Sequence, residues 1–387
     1  MTMTLAAAFT LNWPGDALFG AGRCDGLGEL LAARGQTSAL IVTDPGLKQA
    51  GVLGRIEAAL DRAGVSHAAY AEVSPNPTTA NVTAARQAWQ AGRYDALIAL
   101  GGGSSIDTAK GALAEILTGT DSFASFGKDV DTSDVPVPPF YALPTTSGTG
   151  SESSLGAVLK SPERKFVIRG RLLQPATVVM DPELTLSLPP AMTAATGFDA
   201  FCHAIGAYAN NQVNPIADEL ALASMRYAID FLERAVTDGS DLEARAGVMM
   251  SSYLGGFCIG QKGVDGIHGL CTPIESLHAA VHGHVLGTIL PHMLRFNMET
   301  LGARYATAAR RLGLTASADD ATACKAMFDA AMRLQALTSC PESIAAYKLD
   351  AEAIPRLTDM ALLSQATHRN GRPLDAAAIT KLYEAMI

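Results

Sequence analysis

The run Ala96-Leu-Ile-Ala-Leu-Gly101-Gly-Gly-Ser-Ser-Ile-Asp107-Thr-Ala-Lys110 reads as a buried strand, a three-glycine turn and the start of a helix. Apolar residues in an unbroken row suit a strand covered on both faces. Gly101, Gly102 and Gly103 allow positive φ and a close approach of backbone to ligand. Ser104 or Ser105 is placed to cap the helix, whose N–H groups and dipole favour a pyrophosphate. The run is not the Gly-x-Gly-x-x-Gly fingerprint of the usual dinucleotide fold. It is also open to a plainer reading, as tight strand-to-helix packing.

Outward from this run, strands and helices alternate. Residues 38–43 (Ser-Ala-Leu-Ile-Val-Thr) form a second buried strand ending at Asp44-Pro45, and residues 140–143 and 176–180 form two more. Residues 9–13 are expected as a further strand, with 17–23 as a hairpin return. Helices are expected over 26–34, 54–63 and 78–91. Such alternation predicts a mostly parallel sheet covered on both faces, an α/β domain. After Asp181 the strand signals nearly vanish, and Ala/Leu/Met-rich helical segments follow at 217–234, 242–256, 301–312 and 321–337. The Pro-rich step Leu188-Pro189-Pro190 marks the boundary. The expected organisation is an α/β dinucleotide-binding domain over 1–187 and an all-helical metal-binding domain over 188–387, with a cleft between them.

Composition narrows the function. The 387 residues are 48% hydrophobic and 17% charged, ordinary for a globular protein. A formal charge of −9 without a basic run argues against nucleic acid. No apolar run reaches membrane-spanning length, and residues 1–12 carry neither Lys nor Arg, against a secretory signal. Six scattered cysteines without a Cys-x-x-Cys pair read as reduced thiols of a cytoplasmic protein. Cys202 and Cys271, near the histidines below, read as small buried hydrophobes.

Asp44 closes its strand where an acidic side chain accepts hydrogen bonds from an adenosine ribose and repels a 2′-phosphate, favouring NAD over NADP. It reads equally as a turn residue before Pro45. The hydroxyl-rich Pro144-Thr-Thr-Ser-Gly-Thr-Gly-Ser-Glu152 suits phosphate or ribose, or a solvated loop. Asp199 and His203, four apart, leave one helix face. With two later histidines they make a shell for Fe²⁺ or Zn²⁺. Spacing does not choose among His268, His278, His282, His284 and His292, and a His-rich helical region also reads as polar surface or satisfied core.

Together these motifs resemble the iron-containing (group III) alcohol dehydrogenase family over essentially the whole length. The resemblance rests on Gly101 to Lys110, on Leu143-Pro-Thr-Thr-Ser-Gly-Thr-Gly-Ser-Glu152, on Asp181-Pro-Glu-Leu-Thr185 with Leu188-Pro189, on Thr193 to Ala204, and on His282-Gly283 with Leu290-Pro-His-Met-Leu-Arg-Phe-Asn297. It implies that Asp199, His203, His268 and His282 are the metal ligands, and that His278, His284 and His292 are not. It places Gly102, Gly103, Ser104 and Asp107 at the pyrophosphate, beside Gly101. Thr145, Thr146 and Thr149 would line the cofactor site, Lys165 would lie near the nicotinamide ribose, and Asp44 would hold the NAD-selecting position. The chain departs from the family where Thr272-Pro-Ile-Glu275 replaces His-Pro-Leu-Gly, removing a histidine given a proton-transfer role. Gly206 replaces a Glu, and Gln261, Lys262 and Asp265 precede His268. Ile259, Lys262 and Thr272 are therefore expected near the substrate, with a hint of a polar or anionic group, or else ordinary drift.

The expected activity is metal-dependent, NAD-linked interconversion of a small alcohol and its aldehyde or ketone, in a homodimer or higher homo-oligomer. The competing readings are a maleylacetate reductase-like oxo-acid reductase, which typically lacks the Asp/His pair; a dehydroquinate synthase-like lyase using NAD transiently; and a non-catalytic nucleotide-binding protein.

Overall fold

The computed structural model describes residues 8–122, 127–162, 164–278 and 280–387. The chain forms two compact units, one of residues 12–188 and one of residues 189–387 to which residues 8–11 belong.

The first unit holds a six-stranded, wholly parallel sheet. Its strands are β1 (Asp16–Phe19), β2 (Ser38–Val42), β3 (Ser66–Tyr70), β4 (Ala96–Gly101), β5 (Phe140–Pro144) and, after a hairpin of β6 (Gly156–Lys160) and β7 (Lys165–Arg169), β8 (Thr177–Met180). The order is β1-β8-β5-β4-β2-β3. Side chains of one strand alternate between faces, and both faces are dry. Leu40, Val42, Leu97, Ala99 and Phe140 join one core with α4 (Thr79–Ala91) and α5 (Gly103–Thr118). Ala39, Ile41, Ala96, Ile98, Leu100 and Tyr141 join the other with α1 (Leu27–Ala33) and α3 (Val52–Arg62). The short α2 (Pro45–Gln49) follows β2. Burial on both faces is why these strands read as unbroken apolar runs.

Two expectations at the N-terminus are corrected. Residues 9–13 form no strand, and 17–23 is no hairpin return. Instead Gly15 packs against the carbonyl of Ala176, where a Cβ would collide, and Asp16 N–H donates to Ala176 O at 3.0 Å. This starts β1 as a parallel edge strand on β8. Long-range pairing of that kind leaves no local signature.

Register brings the motif loops to one edge. Gly101 pairs with Pro144, and Val42 with Ala99, so β2, β4 and β5 end together at their carboxyl ends. The chain runs from β2 outward to β3 and from β4 the other way to β5, so the order reverses between β2 and β4. Open α/β sheets take ligands at such a switch point.

The second unit is helical: α6 (Pro190–Ala209), α7 (Pro215–Thr237), α8 (Leu242–Lys262), α9 (Gly266–Leu277), α10 (His282–Arg311), α11 (Asp320–Leu337) and the shorter α12 (Ile354–Leu362), α13 (Gln365–His368) and α14 (Ala376–Glu384). The helix expected at 301–312 is the last part of α10, which is two helical segments meeting at a kink at Leu301 (φ −105°, ψ 16°), where the backbone leaves helical geometry. Helix α6 is buried nearly all round from Thr193 to Ala209 and is the axis of this unit.

Lys110, on α5, is fully buried, and its ammonium donates to the carbonyls of Ser151 (2.6 Å), Ser154 (2.8 Å) and Gly156 (2.8 Å). Burial lowers its pKa to about 8, against the pull of Asp107 and Glu152. Three carbonyls of a loop are thereby tied to one helix. Lys110→Met should leave them unsatisfied and lower stability by about 3–5 kcal/mol, read from urea unfolding.

Candidate metal centre and dinucleotide loop

The donor cluster is built on α6, which projects Asp199 and His203 from adjacent turns of one face. Helix α9 adds His268, and α10 adds His282 as its first residue. Their Nε2 atoms converge on one oxygen, Asp199 Oδ1, at 3.4 Å from His203, 3.3 Å from His268 and 3.5 Å from His282. A tetrahedral ion with bonds of about 2.0–2.2 Å sets its ligand atoms roughly 3.3–3.6 Å apart. The separations fit a shared ion. Asp199, His268 and His282 form the compact set, their donor atoms all within 4.8 Å of one another; His203 lies outside that set, its ring stacked on that of His268 at 4.7 Å. His278, His284 and His292 join no donor group among the described residues.

Electrostatics demand positive charge here. Burial alone would raise the Asp199 carboxyl, but His203 and His282, with hydrogen bonds from His268 and His282, hold it well below the usual carboxylate range. Burial alone would lower His282, but Cys271, Glu275 and Asp199 raise it well above its ordinary value. Cys271 is pushed up to about 11 by burial, and Cys202 also well up by burial. Both are free, buried thiols, protonated at neutral pH.

Glycines set the distances between these helices. A Cβ at Gly283 would drive into the carbonyl of Ala195 on α6, so α10 meets α6 backbone to backbone beside His282. A Cβ at Gly206 would lie 2.6 Å from Asp265 Oδ1, and Asp265 caps α9 by accepting from Ile267 N–H at 3.2 Å. The missing side chain at 206 thus makes room for a carboxylate at 265, three residues before His268. Burial pushes Asp265 up to about 6, with His268 pulling the other way.

In the other unit, the loops at the sheet's carboxyl edge interlock. A Cβ on Gly102 would lie 2.9 Å from Thr146 Oγ1, and one on Gly103 would lie 2.9 Å from Thr149 Oγ1. Thr145 N–H donates to Gly101 O at 3.1 Å. Gly101 has φ +148°. The expected serine cap is absent: α5 is capped by Gly102, with no side-chain hydrogen bond. Among the described residues, the first-turn N–H groups around half-buried Gly103 and Ser104 receive no side-chain cap from the N-cap position. Asp44 lies two residues beyond β2 and accepts from Gly46 N–H (2.9 Å) and Leu47 N–H (3.2 Å). It caps a helix and remains half-exposed.

Other expected residues are occupied elsewhere. Asp107 accepts from the Ser151 hydroxyl and from Val158 N–H (2.8 Å), and burial raises it to about 6. Its carboxylate shapes the loop. Lys262 is buried, and its ammonium bonds Asp218 at 2.6 Å, which Arg304 also pairs at 2.7 Å. Ile259 packs half-buried on the apolar core. Thr272 is exposed one turn past His268 and donates to its carbonyl at 3.1 Å. Lys165 opens β7, half-buried. Sequence reasoning gave no role to Glu275, which accepts from His282 Nδ1 at 2.7 Å. Its spacing of seven from His268, two helical turns, was the available signal.

The description "Iron-containing alcohol dehydrogenase" matches residues 14–182, and "Fe-containing alcohol dehydrogenase family, C-terminal" matches residues 193–387. The chain belongs to the iron-containing alcohol dehydrogenase family. The family's chemistry is oxidoreduction between alcohols and aldehydes or ketones, with NAD and iron or another divalent metal. A choline dehydrogenase of Bacillus subtilis is 32% identical over 94% of this chain and 92% of its own. The crystal structure of a 1,3-propanediol oxidoreductase superposes with a TM-score of 0.93 at 29% identity, covering 98% of this chain and 100% of that one. That of a sulfoacetaldehyde reductase from Bifidobacterium kashiwanohense in complex with NAD⁺ gives 0.90 at 26%, covering 98% and 99%.

The close approach at Gly283 yields a test. Gly283→Ala should push α10 from α6 and weaken divalent-metal binding by about tenfold or more, measured by chelator competition.

Proposed function

We propose that Asp199, His203, His268 and His282 hold one divalent cation, Fe²⁺ or Zn²⁺, and that a small alcohol is oxidised there, or its carbonyl partner reduced, with NAD(H). The observation that carries this is the convergence of three Nε2 atoms on Asp199 Oδ1 at the edge lengths of a tetrahedral ion. When bound, the cation supplies Lewis acidity to the alcohol oxygen, and nicotinamide accepts the hydride. The chain's own part is to orient and to exclude water. Asp199 supplies the charge that anchors the cation, the imidazoles aim neutral lone pairs, and the Cys202 and Cys271 thiols fill the surrounding core.

The N–H groups at the start of α5, around Gly102, Gly103 and Ser104, are read as the pyrophosphate site. Thr145, Thr146 and Thr149 support that loop, and Lys165 is kept as a nicotinamide-ribose contact. Asp44 takes the adenosine ribose with its remaining acceptor capacity. Thr272 puts a hydroxyl where many relatives have an imidazole. A hydroxyl does not titrate near neutrality, and that of Thr272 donates to the His268 carbonyl, so it does not take the imidazole's place as an acid or base.

The relatives are named for choline, 1,3-propanediol and sulfoacetaldehyde, which differ in charge, so membership does not set the substrate's charge. Lys262 is committed to Asp218, so an anionic substrate loses its main support. The reading is of a small alcohol or aldehyde. A cytoplasmic homo-oligomer belongs to the same proposal. The cysteines are free, and Trp13, three residues before the edge strand β1, and Phe19, at its end, are exposed. No described helix is long and apolar enough to cross a membrane.

Asp199→Ala should lose bound metal and NAD-linked turnover together, measured by metal analysis and NADH absorbance on a panel of small alcohols. Full activity in metal-free Asp199→Ala protein overturns the proposal. Separately, Asp44→Ala should raise KM for NAD and narrow the preference for NAD over NADP by about tenfold, about 1.4 kcal/mol.

A further inference from the structure

Helix α9 serves the donor cluster twice from one face. His268, its third residue, sends Nε2 to Asp199. Two turns on, Glu275 reaches the other ring nitrogen of His282: its Oε1 accepts from Nδ1 at 2.7 Å. The partner chosen is the one that most needs holding. The side chain of His282 is 40% exposed, against 6% for Asp199 and His203 and 9% for His268. His282 is also the first residue of α10, where Val281 offers no side-chain cap. Asp199, His203 and His268 sit inside helices, whereas the more exposed His282 ring is held at Nδ1 by Glu275 at 2.7 Å, with Cys271 Sγ farther off at 3.5 Å.

An imidazole that donates from Nδ1 to a carboxylate keeps its lone pair on Nε2, with its plane fixed and its basicity raised. We propose that Glu275 is a positioning residue for the metal centre, locking His282 with Nε2 turned toward Asp199. The inference rests on the metal-site reading above. The Glu275 side chain is 8% exposed, so its carboxylate acts in a dry setting where a charged hydrogen bond is strong. With Asp199 it also balances the two charges of a divalent cation among neutral imidazoles. The His-Pro-Leu-Gly of many members of the family that the chain resembles would put glycine at position 275, with no side chain for this task. The departure at 275 thus adds a contact, where that at Thr272 removes one.

Cys271, Glu275 and the same His282 Nδ1 also lie close together as a candidate donor set. The 2.7 Å between Glu275 and His282 is a hydrogen-bond length, shorter than the roughly 3.3 Å between neighbouring ligands on an ion. That set is therefore read as a hydrogen-bonded support of the first centre.

The test measures Zn²⁺ dissociation constants of the full chain, stripped and reloaded, by competition with a chromophoric chelator. Wild type, Glu275→Ala, Glu275→Gln and Asp199→Ala are compared, with thermal unfolding of each metal-free protein alongside. Glu275→Ala should weaken Zn²⁺ binding 10- to 100-fold. Glu275→Gln, whose amide oxygen still accepts from Nδ1, should recover most of it, and both metal-free proteins should unfold near the wild-type temperature. Glu275→Ala within twofold of wild type, while Asp199→Ala has lost binding, overturns the role of Glu275 and leaves the metal site standing. Wild-type affinity in Asp199→Ala removes the metal site itself and the inference with it. Loss of one of two bound Zn²⁺ ions in Glu275→Ala makes the carboxylate a ligand and overturns the positioning role. If Glu275→Ala is unfolded when metal-free, Glu275→Gln decides: native unfolding without recovered affinity overturns the proposal.

Discussion

A carboxylate buried among three imidazoles cannot stand without positive charge. Asp199 is 4% exposed, and its Oδ1 faces three ring nitrogens within 3.5 Å. Desolvation makes an unpaired charge expensive in such a place, so the site calls for either a proton on the rings or a shared cation. The helical unit is arranged around that constraint. Helix α6 is buried nearly all round, and α9 and α10 are brought against it through positions 206 and 283, where any side chain would strike Asp265 or the Ala195 carbonyl.

The α/β unit solves a different problem, that of holding ligand-facing backbone still. A loop offering bare N–H groups needs supports that do not compete with the ligand. The Gly101–Lys110 run divides that work. Its front, Gly102 to Ser104, leaves helix-terminal N–H groups without side-chain caps, while its back, Asp107 and Lys110, grips the loop from Ser151 to Val158 from inside the core. A motif that looks uniformly ligand-binding in sequence is in part a buried clamp, and only its front remains for the pyrophosphate site proposed above.

Much of this was legible in the chain itself. Unbroken apolar runs revealed strands buried on both faces, and the i, i+4 spacing of Asp199 and His203 revealed a shared helix face. The sequence reading failed where the deciding contact was distant. The first strand was misplaced because its partner, β8, lies some 160 residues later and parallel pairing leaves no local turn signal. Lys262 read as a free charge near substrate because nothing local points to Asp218, which takes it. Glu275 and Asp265 read as departures from a pattern, and their partners His282 and Gly206 became visible only once α9 was packed.

The sequence by itself determined the alternation of elements, the helical second half, the glycine turn and the helix face that Asp199 and His203 share. These follow from side-chain periodicity and residue chemistry, which act over one or two turns. Only the tertiary structure decided which atoms meet: three Nε2 atoms on one oxygen, a lysine on three carbonyls, a glutamate behind the half-exposed His282. Those meetings depend on helix separations set to fractions of an ångström by close-packed backbone, a quantity that no local pattern carries.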